Sequence, residues 1–319
     1  MKSRVLISAP YVMPVLDIYR RRLEEAGCEL VIARVRERLT EGELLELIKD
    51  VDGIICGDDQ ITAKVLDAAP RLKVISKWGT GIDSIDKVAA AARGIPVRNT
   101  PDAFTEPVAD TVLGYMLLFA RGLARMDQDM RNGLWEKPQL FALKEKTLGI
   151  IGVGNIGRAV GRRAAAFGMR ILGCDPVIPE RGYLDAVGMS IVNRERLLEE
   201  SDFVSLHPDL NETSRSLIDA AALKRMRSSG YLINTSRGPV VVESALAQAL
   251  DERRLAGAAL DVYEREPLPA DSPLRRHSNC LLSPHNANSS PSSAARVHEN
   301  TILNLLRVLA PAAVGPTDA

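Results

Sequence analysis

The feature that most constrains the fold of this chain is a glycine-rich segment at residues 152–157, which reads Gly-Val-Gly-Asn-Ile-Gly. A run typical of a β-strand, residues 148–151, precedes it, and a helical pattern follows to Phe167. At such a strand–helix junction the first glycine permits a tight turn, the second lets the backbone approach a pyrophosphate, and the third allows close packing. The helix N-terminus attracts the anion through its N–H groups and its dipole. The segment therefore predicts a phosphate-binding turn.

An acidic residue follows at the spacing expected for dinucleotide binding. Asp175 comes directly after the next predicted strand and lies 18 residues beyond Gly157, close to the ~20 residues at which an acid meets the adenosine ribose. On its own, Asp175 is equally explained as a turn residue before Pro176. Together with the glycine turn it predicts a dinucleotide site. A carboxylate accepts a hydrogen bond from the ribose 2′-hydroxyl and repels a 2′-phosphate, so the site favours NAD over NADP.

Strand-like and helix-like runs alternate along most of the chain, which predicts parallel sheets covered by helices on both faces. The first series has strands at residues 4–8, 29–33, 53–56, 73–76 and 96–98, with helices at residues 14–26, 41–49, 62–68 and 84–92. The second series has strands at residues 148–151, 170–174, 203–206, 231–234, 258–261 and 280–283.

The segments outside these two series complete the predicted organisation. A long apolar helix is expected at residues 104–126, followed by a polar excursion at residues 127–146. A final helix at residues 292–309 has no strand of its own to cover, so we expect it to return to the N-terminal domain. The tail at residues 310–319 is expected to fray.

Composition excludes several classes of protein. Lys plus Arg and Asp plus Glu both number 41, so the net charge is zero, and neither nucleic acid nor a membrane surface is an expected partner. The longest apolar stretch, residues 112–120, is about half the length that a bilayer requires. The N-terminus has no signal-peptide pattern, and the four cysteines form no Cys-x-x-Cys pair. We therefore expect a cytoplasmic protein with reduced thiols and no metal site.

Three chemically capable side chains lie just after predicted strands. Arg237 offers a planar fork for a carboxylate, His285 can exchange a proton near neutral pH, and Glu266 can hold the other ring nitrogen of His285 and raise its pKa. Each has an ordinary structural explanation: an ion pair, a core histidine and a solvated loop charge, respectively. Because ligands bind beyond the carboxyl ends of the strands of an α/β sheet, their shared position predicts an active site.

These motifs, in this order, resemble the D-isomer-specific 2-hydroxyacid dehydrogenase family. The matching segments are Gly79-Thr80-Gly81-Ile82-Asp83, Val108-Ala109-Asp110, the glycine turn with Asp175, Ser205-Leu206-His207, and the surroundings of Arg237, Glu266 and His285. The resemblance implies an α/β fold with two doubly wound parallel-sheet domains. A Rossmann NAD-binding domain at residues 101–286 would be inserted into a flavodoxin-like substrate domain at residues 1–100 and 287–319. It also implies a homodimer formed mainly through the NAD-binding domains.

The resemblance gives each matching residue a role. Arg237 would bind the carboxylate and carbonyl of a small 2-keto acid, His285 would protonate the developing alkoxide, and Glu266 would orient His285. The backbone at Thr80 and Gly81 would complete the carboxylate site. The residues implied to contact NAD are Gly152, Gly154, Asn155 and Ile156 (the last two at the pyrophosphate), Gly157, Asp175, His207 (near the adenosine), Thr235 and Ser236 (along the nicotinamide ribose), Arg237, Asp261 (at the nicotinamide carboxamide) and His285.

The implied function is NAD-dependent interconversion of a small 2-keto acid and its D-2-hydroxy acid. One alternative is a non-catalytic NAD(H)-sensing corepressor of the same fold; another is a formate or phosphite dehydrogenase. Both are disfavoured because the chain begins and ends with the fold. The chain also departs from the family pattern: Asn286 and Asn288 stand where apolar residues are common after the histidine, and Asp110 replaces a Glu.

The loop after the third predicted strand bears on the substrate. Residues 56–62 contain Asp58 and Asp59 but no basic residue. Phosphate recognition favours Arg or Lys, so we expect no phosphate-binding base in this region. The loop predicts a substrate such as hydroxypyruvate, glyoxylate or a sugar-derived 2-keto acid rather than 3-phosphoglycerate.

Overall fold

A computed structural model describes residues 2–314 of the chain, so the end of the expected frayed tail lies outside the described residues. The strands are β1 (Ser3–Ile7), β2 (Cys28–Ile32), β3 (Gly53–Cys56), β4 (Val74–Lys77), β5 (Val97–Arg98), β6 (Thr147–Ile151), β7 (Arg170–Cys174), β8 (Met189–Ile191), β9 (Phe203–Leu206), β10 (Tyr231–Asn234), β11 (Gly257–Leu260) and β12 (Cys280–Leu282). The helices are α1 (Leu16–Glu25), α2 (Glu41–Leu47), α3 (Ala63–Asp67), α4 (Lys87–Ala92), α5 (Thr105–Arg121), α6 (Leu123–Arg131), α7 (Asn155–Ala166), α8 (Arg181–Val187), α9 (Arg194–Glu200), α10 (Ala220–Arg225), α11 (Glu243–Asp251) and α12 (Pro291–Leu309).

The chain forms two compact units. The first consists of residues 1–103 together with 290–319, and the second of residues 104–289. Each junction lies three residues beyond the boundary that the sequence predicts.

The first unit contains a five-stranded parallel sheet in the order β2-β1-β3-β4-β5, which is the flavodoxin-like order. Helix α12 lies against β3 and β4 of this sheet, where the Oγ atom of Ser76 donates a hydrogen bond to the carbonyl of Thr301 at 2.7 Å. A Cβ atom at Gly53 would lie 2.9 Å from a methyl carbon of Leu305, so the glycine leaves room for the helix. The C-terminal helix therefore belongs to the N-terminal sheet.

The second unit contains a seven-stranded sheet in the order β12-β11-β10-β9-β6-β7-β8, with every pair parallel. This is the Rossmann order, and it reverses between β9 and β6, where ligands bind beyond the carboxyl ends of the strands. Strand β8, an edge strand of three residues, is absent from the sequence prediction.

Both faces of the second sheet are buried, which explains the nearly continuous apolar strands. On β10, Leu232 packs in a cluster with Leu246 and Leu250 of α11. Its neighbour Ile233 belongs to another cluster, which contains Met116 of α5. The alternation along the strand thus places one helix layer on each face.

Capping residues determine where several helices begin. The side chain of Thr40 accepts a hydrogen bond from the N–H of Glu43, and the Glu43 carboxylate accepts the N–H of Thr40, so this capping box starts α2. Asp86 accepts the N–H of Ala89 at 2.9 Å, and α4 therefore begins at Lys87, three residues later than predicted.

The prediction of one long helix at residues 104–126 is wrong. Helix α5 ends at Arg121, the next residue, Gly122, has a φ of 54°, and a separate helix, α6, runs from Leu123 to Arg131. The left-handed conformation breaks the helical hydrogen bonding, and glycine adopts it without steric cost. Helix α6 therefore occupies part of the predicted polar excursion.

None of the described helices combines the length and apolarity needed to span a membrane. The described residues also contain no group of three His, Cys, Asp or Glu side chains that could hold a metal ion.

Candidate active site

The glycine turn connects β6 to α7 and is packed tightly at its first and third glycines. Gly152 has a φ of 89°, and its N–H donates to the carbonyl of Cys174 at 2.9 Å. A Cβ atom at Gly152 would lie 2.5 Å from the carbonyl carbon of His207. One at Gly157 would lie 2.1 Å from the oxygen of Gly152. Larger residues at these two positions would force the backbone apart.

The second glycine of the turn has open space beside it. A Cβ atom at Gly154 would meet no heavy atom within 4 Å. Gly154 is the N-cap residue of α7, and no side chain caps the first turn of this helix. A pyrophosphate could therefore approach both the open backbone and the N–H groups at the positive end of the helix dipole. The turn fits the dinucleotide that the sequence predicts.

Asp175 follows β7 and faces the glycine turn. One carboxylate oxygen accepts the N–H of Val153 at 2.6 Å, and the other accepts the N–H of Val177 at 2.7 Å. The acid thus holds the turn in place. Each carboxylate oxygen has a further lone pair, so Asp175 retains the capacity to accept hydrogen bonds from ribose hydroxyls.

His285 and Glu266 form a half-buried pair at the carboxyl edge of the second sheet. The Nδ1 atom of His285 lies 3.1 Å from Oε2 of Glu266. The other carboxylate oxygen of Glu266 accepts the N–H of Tyr263 at 3.0 Å, which fixes the carboxylate from the opposite side. The sequence predicts this pair correctly, although the residues are 19 positions apart. A carboxylate in this position orients the imidazole ring and stabilises its protonated form.

The backbone of His285 has a φ of 51°, which is unusual for a residue with a side chain. Its N–H donates to the carbonyl of Asp261 at 2.7 Å. The Asp261 carboxylate, which is 1% exposed, accepts the N–H groups of Asn286 and Ala287 at 2.8 Å each. It also accepts a hydrogen bond from the hydroxyl of Ser283. Asp261 therefore fixes the loop that carries the histidine, a role that the sequence analysis did not assign to it.

Helix α5 supports the same loop through two residues that the sequence analysis missed. The hydroxyl oxygens of Tyr115 and Ser283 lie 2.5 Å apart, and Thr111 donates a hydrogen bond to the carbonyl of Ala287 at 3.2 Å. Tyr115 lies inside an apolar helical pattern, so nothing in its sequence context indicated a polar contact. Ser283 stands two residues before His285, and that proximity was the available signal.

Arg237 lies in the loop after β10, which is held by Asn234. The side-chain oxygen of Asn234 accepts the N–H of Ser236 at 3.0 Å, and its amide donates to the carbonyl of Arg237 at 2.9 Å. A Cβ atom at Gly238 would lie 1.9 Å from the carbonyl carbon of Tyr263, so this loop passes directly against the loop that contains Glu266. The fold thus places Arg237 at the same sheet edge as the His285–Glu266 pair.

Two further predicted cofactor residues have buried polar atoms with no partner among residues 2–314. They are the hydroxyl of Thr235 and the Nδ1 atom of His207. The other ring nitrogen of His207 lies 2.8 Å from the Ser205 hydroxyl, and burial lowers the pKa of His207 to about 3. A neutral His207 ring and a hydroxyl at Thr235 can both form hydrogen bonds with a polar ligand.

Comparison with known proteins identifies the family. Residues 113–287 match the model of the D-isomer specific 2-hydroxyacid dehydrogenase, NAD binding domain. The chain belongs to the D-isomer specific 2-hydroxyacid dehydrogenase family. It is thus an NAD-dependent oxidoreductase, as the glycine turn and Asp175 indicated.

Individual relatives support this assignment. The glyoxylate reductase of Korarchaeum cryptofilum is 42% identical over 270 residues, covering 82% of this chain and 81% of the reductase. The D-3-phosphoglycerate dehydrogenase of Methanocaldococcus jannaschii is 37% identical over 286 residues, covering 88% of this chain and 53% of that protein. The structure of an Aquifex aeolicus D-lactate dehydrogenase, complexed with NAD and lactic acid, has a TM-score of 0.85 and 27% identity, with 96% of this chain and 95% of that chain covered.

The first unit of this dehydrogenase contains the two residues expected at the substrate carboxylate. Thr80 and Gly81 follow β4, and the Thr80 hydroxyl donates to the carbonyl of Thr100 at 3.0 Å. Asn99 donates to the carbonyl of Thr80 at 2.5 Å, which holds the loop. In the described part of the chain the N–H groups of Thr80 and Gly81 have no acceptor, so they are available to an anionic ligand.

A basic side chain that was not expected near the loop at residues 56–62 lies next to Asp58. The Nζ atom of Lys77, at the end of β4, is 3.0 Å from a carboxylate oxygen of Asp58. Lys77 directly follows the strand predicted at residues 73–76, and its position in the sequence does not indicate that its side chain reaches the loop after the neighbouring strand. The pairing of β3 and β4 places Lys77 opposite Cys56, two residues from Asp58.

Proposed function

We propose that this protein reduces a small 2-keto acid to its D-2-hydroxy acid at a site built on Arg237, Glu266 and His285. The observation that carries the proposal is the 3.1 Å contact between His285 and Glu266, at a sheet edge that also bears Arg237. An oriented acid–base residue beside a cationic fork suits the reduction of a carbonyl next to a carboxylate.

The residues at this sheet edge have separate roles in the proposed reaction. The cofactor, when bound in its reduced form, would supply the hydride that the substrate carbonyl carbon accepts. The guanidinium of Arg237 binds the substrate carboxylate and polarises the carbonyl oxygen. Since Nδ1 of His285 faces Glu266, the proton for the developing alkoxide comes from Nε2. Glu266 stabilises the positive charge of the imidazolium before transfer.

Glyoxylate and hydroxypyruvate are the proposed substrates. Glyoxylate is the substrate in the name of the Korarchaeum cryptofilum relative, and hydroxypyruvate differs from it by a hydroxymethyl group in place of hydrogen. The name of the Methanocaldococcus jannaschii relative raises a phosphorylated acid as the second candidate.

The test is NADH oxidation by the purified protein with a panel of 2-keto acids. Turnover with glyoxylate or hydroxypyruvate is expected, and His285→Ala should abolish it. His277→Ala is the matched control, because His277 lies outside the site and its loss should leave turnover intact. NADH binding without turnover of any 2-keto acid would contradict the proposal and favour the nucleotide-sensor alternative.

We also propose that the protein is a cytoplasmic homodimer. Helix α6 and the segment after it expose four large apolar side chains: Leu123, Met130, Leu134 and Trp135. Exposed apolar surface of this kind is typical of a protein interface, and its position in the second unit agrees with dimerisation through the NAD-binding domain. The four cysteines are free thiols, as is usual in a reducing compartment.

A further inference from the structure

Two loops of the second unit, those of Arg237 and Glu266, meet at one closely packed peptide bond, which joins Tyr263 to Glu264. A Cβ atom at Gly238, the residue after Arg237, would overlap the carbonyl carbon of Tyr263 and the nitrogen of Glu264. On the other side of Tyr263, its N–H donates to the Glu266 carboxylate at 3.0 Å. The orientation of this peptide bond therefore affects the position of both loops.

Glu243, the first residue of α11, holds the same peptide bond. Its carboxylate accepts the N–H of Glu264, and the Glu264 carboxylate reciprocally accepts the N–H of Glu243 at 3.0 Å. Val242 precedes the helix and has no side-chain acceptor, so Glu264 takes the place of an N-cap side chain. The reciprocal pair thus attaches the start of α11 to the loop that carries Glu266.

Glu243 is also a half-buried acid with acidic neighbours. Burial raises the pKa of Glu243, the N–H of Glu264 lowers it, and the negative charges of Glu264 and Glu266 raise it further. An interaction between two charges is mutual, so the charge of Glu243 acts on Glu266 in turn. It adds to the negative potential that favours a protonated ring at His285, the partner of Glu266.

The other titratable groups at this loop come from neighbouring elements and act on Tyr263. They are Cys280 of β12, Asp261 after β11 and Tyr115 of α5. Burial raises the pKa of the Cys280 thiol to about 12, and it raises the pKa of both tyrosine hydroxyls above their ordinary value of about 10. The thiol and the hydroxyls therefore stay neutral between pH 6 and 9, and Asp261 is the same in every variant below.

We propose that Glu243 is a positioning residue of this active site. Its carboxylate fixes the peptide bond between the loops of Arg237 and Glu266, and its negative charge favours protonated His285 through Glu266. Hydrogen bonds from a surrounding shell of residues are what keep reacting groups in a productive geometry. This inference rests on the proposed function and adds a residue to its machinery.

The charge of Glu243 is tested by Glu243→Gln, which keeps an oxygen for the N–H of Glu264 but removes the negative charge. Reduction of hydroxypyruvate needs protonated His285 in the proposed function. The fall of kcat/KM at high pH should therefore begin about 0.5 pH unit lower in this variant than in the wild type. The shift should be smaller than that of Glu266→Gln, because Glu266 faces the ring directly.

The reach of Glu243 is tested by Glu243→Asp, which keeps the charge but shortens the side chain by one methylene group. The N–H of Glu264 then loses its acceptor, so kcat/KM at pH 7 should decrease about fivefold. The pH at which kcat/KM falls should stay at the wild-type value. A residue that only stabilised the loop would not move the pH profile in either variant.

Glu252→Gln is the matched control. Glu252 is an exposed acid at the other end of α11, where it accepts a hydrogen bond from Gln248 at 2.8 Å. Its substitution makes the same change in net charge and should leave both kcat/KM and the pH profile unchanged. Urea denaturation establishes that each variant is folded. The pH at which kcat/KM falls does not depend on the amount of active enzyme, so this measurement tolerates a less stable variant.

Four results bear against these assignments. An unshifted pH profile in Glu243→Gln, or an equal shift in Glu252→Gln, would overturn the role of the charge. Wild-type kcat/KM in Glu243→Asp would overturn the positioning role. A wild type that reduces no 2-keto acid would overturn the proposed function itself, whereas an active wild type that both Glu243 variants match would overturn this inference alone.

Discussion

The carboxylate of Asp261 accepts the backbone N–H of Ala287 at 2.8 Å and thereby fixes the chain two residues beyond His285. The same side chain accepts the N–H of Asn286, and its backbone carbonyl accepts the N–H of His285. Because His285 adopts a positive φ, this loop depends on external hydrogen bonds to hold its shape. Asp261 supplies three of these bonds from the neighbouring strand end.

We predict that Asp261→Asn destabilises the protein and lowers kcat. An amide offers one oxygen in place of two, so the N–H of Asn286 or of Ala287 would face an NH2 group and lose its acceptor. The expected loss in the free energy of unfolding is about 1–3 kcal/mol. Urea denaturation and kcat with hydroxypyruvate measure the two effects. Ser283→Ala keeps both backbone contacts and should cost less; equal behaviour of Asp261→Asn and the wild type would contradict the role assigned to Asp261.

A second prediction concerns the pH dependence of reduction. The proposed mechanism needs protonated His285, so kcat/KM should fall at high pH. A neutral amide stabilises the imidazolium less than a carboxylate does, and in Glu266→Gln the fall should therefore begin at lower pH. The measurement is kcat/KM for hydroxypyruvate across pH 6–10 in both proteins. Superimposable profiles would remove Glu266 from its role.

The third prediction is that NADH is preferred over NADPH by at least tenfold in kcat/KM, or about 1.4 kcal/mol. The Asp175 carboxylate accepts hydrogen bonds from the turn, and a 2′-phosphate on a ribose bound beside it would be repelled. Asp175→Ala should reduce this preference and also weaken NADH binding, because the turn loses the acceptor of the Val153 N–H. Equal kcat/KM values for the two cofactors in the wild type would count against this prediction.

The architecture could be predicted from the sequence because both sheets are buried. Strands such as Tyr231–Asn234 and Arg170–Cys174 were predicted with their observed bounds. Short apolar runs bounded by turn residues are typical of buried strands. The break at Gly122 was missed because a single glycine is tolerated within a helical pattern. Strand β8 was missed because its three residues are too few to show a period.

Site residues could be predicted from the sequence only where their position in a motif or after a strand indicates their chemical role. The contact between His285 and Glu266 follows from two strand ends meeting at one sheet edge, and the sequence predicted it. The roles of Asp261, Tyr115 and Lys77 depend on which side chains reach across between neighbouring elements. Such contacts between side chains of neighbouring elements are determined by tertiary packing. They produce no periodic pattern of residues in the sequence.

A fourth prediction is that His207 makes the stability of the protein dependent on pH. Burial lowers the pKa of His207 to about 3 in the folded state, whereas an unfolded histidine has a pKa of about 6.5. The unfolded state thus binds more protons, and the free energy of unfolding should decrease as the pH falls below about 6.5. The slope should stay below the one-proton limit of about 1.4 kcal/mol per pH unit, because the unfolded histidine is only partly protonated at pH values near 6.5.

The variant His207→Gln should show a smaller loss of stability over the same range. Urea denaturation at pH 7.5, 6.5 and 5.5 measures the slope in both proteins. Above pH 7.5 the two curves should run parallel, since neither side chain titrates there. A slope in His207→Gln equal to that of the wild type between pH 6.5 and 5.5 would assign the pH dependence to other groups.

The last prediction tests the proposed dimer face. The Trp135 side chain is 74% exposed and lies just beyond α6, on which Leu123 and Met130 stand seven residues apart and so on the same side. Replacing Trp135 by Lys puts a charge into this apolar patch and should convert a dimer into a monomer at micromolar concentration, as measured by sedimentation velocity. Val88→Lys is the matched control, because Val88 is an 82% exposed apolar residue in the other unit. A Trp135→Lys protein that sediments as a dimer would show that the interface lies elsewhere, and a monomeric wild type would contradict the dimer itself.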